Sequence, residues 1–211
     1  MMKFLRKNNK IIFLVFTPIL AVGLVLSFTI WSSPQTGGNN TANNQAQASP
    51  DDAVKSMLTD IRQFEQALKA APDNPTMLVD LGNKSYDLGV QYFGLQQVED
   101  GLKYLTKATE AYEKALEIGE PDANVATDLA TAAFYSNQYD LADEYFSKAI
   151  EIDPKHLTAK RNYGVFLMEA KQNYDKAIQQ WEAALALNPD PTSKSSLEQL
   201  IQDAKSRKQN S

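Results

Sequence analysis

Apolar residues are distributed along this chain in three ways. The first is an unbroken run, Ile11 to Trp31 (IIFLVFTPILAVGLVLSFTIW), 21 residues without a charge. As a helix it rises about 1.5 Å per residue, enough to cross a hydrocarbon core of about 30 Å. Pro18 and Gly23 are compatible with that, because both occur in membrane helices. The second is a blank. Ser32 to Pro50 (SSPQTGGNNTANNQAQASP) has no charge and no large apolar residue. Such a stretch cannot offset the entropy of ordering, and residues 32–50 are expected to be a disordered linker with a reach of about 25 Å. The third is helical periodicity, which fills residues 51–211.

Met57, Ile61, Phe64 and Leu68 recur at spacings of 4, 3 and 4 and predict a helix over Val54 to Ala71, with Asp51 or Asp52 capping it. Leu197, Leu200, Ile201 and Ala204 predict a final helix over Thr192 to Lys208. Between them the pattern repeats. Leu129-Ala130 matches Tyr163-Gly164, 34 residues on; Ala142, Phe146, Ala149 and Pro154 match Ala177, Trp181, Ala184 and Pro189, each 35 on. The second copy therefore carries one extra residue in the turn between its helices. Small residues at the matching marks let two helices approach, large ones fill the space beside them, and proline stops the second helix. A fixed period of this size marks a stacked array, because one helix pair cannot bury its apolar face alone.

An earlier copy is stretched. Leu81-Gly82 precedes Leu129-Ala130 by 48 residues, but Ala108, Tyr112 and Ala115 precede Ala142, Phe146 and Ala149 by 34. Fourteen residues are inserted, two heptads. The simplest account lengthens both helices by about two turns. A turn is then expected near Gln96–Gly101, with Asp100 as a cap and the Val90–Lys103 hairpin protruding past the edge of the stack.

These residues resemble the tetratricopeptide repeat (TPR) family, whose pattern is large-x-x-Leu-Gly-x-x-large, then Ala-x-x-x-Phe-x-x-Ala, then Pro, over about 34 residues. The resemblance implies an all-α, right-handed superhelix of about eight antiparallel helices. Its parts would be a half-repeat at 54–72, repeats at 75–120, 121–154 and 155–189, and a capping helix at 192–208. It also implies a concave groove lined by the first helix of each pair. By register the groove candidates are Asn83, Tyr86, Asp87, Thr127, Thr131, Tyr135, Arg161 and Asn162, with Phe134, Thr158, Val165 and Met168 on the same faces. Tyr86, Tyr135 and Arg161 are the expected partner contacts, since Tyr and Arg are enriched at binding hot spots. Co-chaperone members of the family grip a C-terminal carboxylate with a Lys, Asn, Asn, Lys, Arg set. Here only Asn83 matches; Val79, Asp128, Thr158 and Asn162 hold the other marks, and Asp128 repels a carboxylate. No such clamp is expected.

Charge adds a topology. Lys3, Arg6, Lys7 and Lys10 precede the apolar run, and no acidic residue occurs before Asp51. Residues 1–10 are then a basic cytoplasmic tail and residues 11–31 a signal-anchor, with the repeats outside the membrane, in a bacterial periplasm or on the outer side of a plasma membrane. A cleaved signal is the weaker reading, because the run is long and no A-x-A follows. The rest of the chain holds 17 basic and 26 acidic residues, a net of −9. That disfavours nucleic acid and favours partners with basic patches.

There is no cysteine and one histidine, His156, whose place at a helix start reads as surface or cap. No phosphate loop, nucleophile elbow or calcium loop is present. The sequence predicts no catalytic residue, metal or cofactor. The resulting expectation is a membrane-anchored adaptor that binds a protein or peptide at the cell envelope. The alternatives are a self-assembling homo-oligomer and an import-receptor-like protein facing the cytosol.

Overall fold

The computed structural model describes residues 49–210, within the compact unit Ala48–Ser211. The expected tail, the signal-anchor at 11–31 and nearly all of the linker lie outside the described residues. Within them no helix is long and apolar enough to cross a membrane.

The described residues form eight α-helices and no strand: α1 (Pro50–Ala70), α2 (Pro75–Gly94), α3 (Val98–Ile118), α4 (Ala123–Tyr135), α5 (Tyr139–Ile152), α6 (Leu157–Glu169), α7 (Tyr174–Leu185) and α8 (Pro191–Gln209). Each helix packs on the next in sequence, and α4 also meets α6. The core is therefore a row of inter-helix seams. Its fully buried large side chains include Leu88, Leu105, Tyr112, Leu129, Phe146, Phe166, Trp181 and Leu197.

The stretched repeat is a long hairpin. Helices α2 and α3 have 20 and 21 residues, against 13 and 14 in α4 and α5. Its turn is shorter than the sequence predicts: only residues 95–97 separate the helices, and Asp100 lies within the first turn of α3 instead of capping it. The reason is local. Gln96 adopts φ 60°, and the Gln97 amide donates to the Tyr92 carbonyl at 2.8 Å, closing α2 in three residues. The same device recurs at Asn137 (φ 64°), where the Gln138 amide donates to Ala133. In the next hairpin Gln172 (φ 51°) follows, and the Asn173 amide reaches Leu167, one residue further. That is where the extra residue of the 35-residue spacing is absorbed.

The hairpin extension is not bare. Gly89 and Gly101 face one another, and a Cβ on Gly89 would stand 2.7 Å from Leu105 Cγ. Tyr92 and Tyr104 stack at 5.6 Å. Both pack, with Val54, Met57 and Leu58 of α1, against a cluster of Ile61, Leu81, Leu88 and Ala111. The expected overhang is thus covered along one side by α1, which at 21 residues matches the long hairpin in length.

Two helix starts differ from expectation. Ser49, not Asp51 or Asp52, caps α1 by accepting the Asp52 amide at 3.2 Å, with Pro50 next in the first turn. Asp190 caps α8 by accepting from the amides of Thr192 and Ser193. His156 is a true cap: its Nδ1 accepts the Ala159 amide at 3.0 Å, and its Nε2 lies 3.0 Å from Asn124 Oδ1 on the preceding repeat.

Candidate functional site

The first helices of three hairpins, α2, α4 and α6, lie side by side. Residues three and four apart on a helix share a face. Asn83, Tyr86 and Asp87 on α2 thus stand beside Asp128, Thr131 and Tyr135 on α4, and beside Arg161 and Asn162 on α6. Between them is a cleft of about 400 Å³ lined by Asn83, Tyr86, Asp87, Tyr112, Asp128, Thr131 and Asn162.

Five sequence candidates line this cleft: Asn83, Tyr86, Asp87, Thr131 and Asn162. Asn162 Nδ2 reaches Thr131 Oγ1 at 3.4 Å and ties α6 to α4 across the groove. Two more candidates flank it. The ring of Tyr135 is 6.2 Å from that of Tyr86, and Arg161 Nη1 donates to Asn162 Oδ1 at 3.3 Å.

Thr127 is a correction. It is 1% exposed, and its hydroxyl donates to the Ala123 carbonyl at 2.6 Å. It belongs to the buried stripe Ala123, Ala126, Thr127, Ala130, Ala133 and Phe134, the i, i+3, i+4, i+7 packing face of α4. Its carbonyl, not its side chain, accepts from the Thr131 hydroxyl. Phe134 and Met168 are buried as well.

Two cleft residues were not among the candidates. Tyr112 of α3 occupies the core mark that Phe146 and Trp181 hold in the later repeats. Its ring is buried, but its hydroxyl passes Gly82 and donates to Asn83 Oδ1 at 2.8 Å at the cleft. The signal available in sequence was that hydroxyl, present at this mark in one repeat only. Asp128 reads from sequence as a reason against carboxylate binding; in the fold it is a wall of the site.

The electrostatics follow from partial desolvation, since Asp87 and Asp128 both keep exposed surface. Desolvation first, then the charge of Asp122, pushes Asp128 up to about 6. Desolvation also raises Asp87, partly opposed by Lys84. Tyr86 is held well above the usual tyrosine range, by burial first and then by Tyr135, Asp128, Tyr112 and Asp87. It keeps its proton at neutral pH. Burial lowers Arg161, and Tyr135 partly offsets this. No lysine or arginine approaches Asp87 or Asp128 within 4.0 Å among the described residues. The cleft thus presents two carboxylates without an ion pair, tyrosine hydroxyls and side-chain amides, with the Arg161 guanidinium outside its lining on Asn162. Such a set recognises hydrogen-bond donors and positive charge. Among the described residues no three His, Cys, Asp or Glu side chains converge to hold a metal.

Two family models described as tetratricopeptide repeat match residues 80–155 and 127–193. Together they span more than half of the chain. No curated protein matches. Among solved structures, two of MamA are similar. The first has 18% identity and a TM-score of 0.53, covering 78% of this chain and 97% of that one. The second has 20% identity and a TM-score of 0.53, covering 74% and 85%. A structure of the second TPR domain of the human RPAP3 protein, in complex with an HSP70 peptide, aligns at 19% identity and a TM-score of 0.47, covering 63% and 98%. At these identities the likeness is one of fold. The chain belongs to the tetratricopeptide repeat family.

Proposed function

We propose that this tetratricopeptide repeat protein is a membrane-anchored adaptor, exported across the membrane, that holds a segment of a partner protein in the groove of α2, α4 and α6. Its action is recognition without catalysis. One observation carries the reading: three repeats converge on a single polar cleft in which tyrosine, asparagine and aspartate side chains face open space. A groove built only to close the stack would be filled by its own apolar side chains, as the seams at Phe146 and Trp181 are.

The location rests on the sequence. The uncharged run 11–31, with four basic residues before it, supports an anchor whose N-terminus is cytoplasmic. The linker 32–50 then gives the repeats freedom to reorient near the membrane. The acidic balance after residue 31 favours partners with basic surface by steering.

Topology reporters test the location. Alkaline phosphatase fused after Ser211 is active only outside the cytoplasm, and green fluorescent protein in its place fluoresces only inside. Active phosphatase with a dark fluorescent fusion is expected; the reverse pattern places the repeats in the cytosol and overturns export. Co-purification of the full-length chain with partners, repeated with Tyr86→Ala and Asn162→Ala, tests the groove. Equal recovery with both variants and the parent overturns it.

A further inference from the structure

The negative charge of the cleft has no ion-pair partner, only the more distant Lys84 acting on Asp87. Asp87 on α2 and Asp128 on α4 line one cavity of about 400 Å³, and neither has a basic side chain within 4.0 Å among the described residues. Other acids do find basic partners: Asp60 pairs with Lys84, Glu65 with Lys107, Asp143 with Lys171 and Glu169 with Arg207. Asp87 and Asp128 differ from unpaired surface acids in that both line one cleft with tyrosine side chains.

The carboxylates do not stand alone. Tyr86 lies between them, deep in the groove, with protein around most of its ring. Among the described residues no hydrogen-bond partner lies within 3.5 Å of its hydroxyl. Tyr112, at the same cleft, spends its proton on Asn83, so Asn83 Oδ1 is engaged while the Tyr112 oxygen keeps acceptor capacity. The second ring, Tyr135, stands 6.2 Å from Tyr86 and tilted by 53°, which makes an aromatic corner. Two carboxylates, two hydroxyl oxygens and an aromatic corner form a receptor for an organic cation.

We propose that this cleft binds a lysine or arginine side chain of the partner segment, its charged group placed between Asp87 and Asp128 and its stem along the rings of Tyr86 and Tyr135. The inference rests on the adaptor reading and makes it specific. The size fits, since a cleft of this volume admits one long side chain and leaves the backbone of the segment outside. It also inverts the chemistry of a carboxylate clamp: the occupant is a basic side chain within a segment, not a chain terminus.

The test uses the full-length chain labelled with 3-fluorotyrosine, in detergent. The fluorine signals are assigned by single Tyr→Phe variants. The probes are the capped tripeptides acetyl-Ala-Lys-Ala-amide, acetyl-Ala-Arg-Ala-amide and acetyl-Ala-Glu-Ala-amide, with spermidine as a free polyamine. The expected result is saturable movement of the Tyr86 and Tyr135 signals with the lysine or arginine peptide and none with the glutamate peptide. The apparent Kd should rise about tenfold or more when Asp87→Asn and Asp128→Asn are combined. Both positions are exposed and neither makes an ion pair among the described residues, so the asparagine variants are expected to fold; their fluorine spectra without peptide check this. Movement with all three peptides alike, no movement with any, or an unchanged Kd in the double variant overturns the proposal. Response to spermidine alone assigns the cleft to a free polyamine and also overturns it. If the cation site fails while partner recovery still depends on Tyr86 and Asn162, the adaptor reading stands without it. If recovery is also indifferent to those residues, both fall.

Discussion

The ring of Tyr112 occupies the space that a side chain on Gly82 would need: a Cβ there would stand 2.5 Å from Cε1 and 2.6 Å from Cδ1. The same relationship holds between Gly164 and Trp181, whose indole would collide with any side chain at 164 and whose Nε1 donates to the Arg161 carbonyl at 2.9 Å. In the middle repeat the pair is Ala130 and the smaller Phe146, both fully buried. The small residue on the first helix and the ring on the second are thus matched in size, repeat by repeat. This packing also carries the Tyr112 hydroxyl to the groove.

Substituting Gly82→Ala or Gly164→Ala therefore overpacks a closed seam. Each is expected to cost about 1–3 kcal/mol. Urea denaturation of the full-length chain, followed by circular dichroism, reads the loss as a lower midpoint. An unchanged midpoint would mean that the seam has slack which the Gly82–Tyr112 contact denies.

The hairpin turns hold Gln96 and Asn137 in the left-handed region, at φ 60° and 64°. A side chain there costs roughly 1 kcal/mol, more for glutamine than for asparagine, whose short amide tolerates the conformation. Gln96→Gly should stabilise by about 0.5–1 kcal/mol after the greater freedom of glycine in the unfolded chain is counted. Asn137→Gly should gain less. The ordering of the two urea midpoints is the check.

Asp128 gives a pH signature. Partial desolvation and then the charge of Asp122 raise its carboxyl to about 6, although the residue keeps exposed surface, so the fold mildly disfavours the ionised form. Above pH 6 the ionised group opposes folding; below 4 it is protonated in both states. Asp128→Asn is therefore expected to raise Tm at pH 7.5, with the gain shrinking as pH falls from 6 to 4. A gain independent of pH would contradict the assignment to desolvation of this carboxylate.

The last helix is fastened by charge. Arg207 reaches Glu169 at 3.1 Å and Asp203 at 2.9 Å, and the Glu169 side chain is only 11% exposed. Arg207→Ala leaves Glu169 enclosed without its partner. The expected cost is about 1 kcal/mol, as the arginine itself is partly solvated. Amide exchange should quicken through α8 first, where apolar burial is thin: Leu197, Ile201 and Ala204 are its buried residues. Uniform change over all helices would argue against a local fastening.

The repeat marks were legible because they are steric. Gly82, Ala130 and Gly164 announce close helix approach in any array, and 14 inserted residues in phase with two heptads could only lengthen a hairpin. The turn was legible near Gln96, but its tightness at 95–97 was not, since glutamine in a left-handed conformation leaves no compositional trace. Thr127 was misread for a related reason. One position on a helix is about 100° of rotation, and a small polar residue does not say which side of that boundary it occupies. Tyr112 was legible as core and not as groove, because a tyrosine's ring and hydroxyl can belong to different environments. Asp128 was visible as a charge, but its place in the cleft depends on α2 and α6, which no local pattern encodes.

Photo-crosslinking in cells addresses the central claim most directly. A photoreactive amino acid replaces Tyr135 in the full-length chain, beside Tyr86 in the groove, and a control replaces exposed Lys205 on α8. The account predicts a distinct protein captured from position 135 and not from 205, its attachment site mapping by mass spectrometry to one segment that carries a lysine or arginine. Capture of this same chain from position 135, or an identical set of products from both positions, would contradict an adaptor that works through its groove.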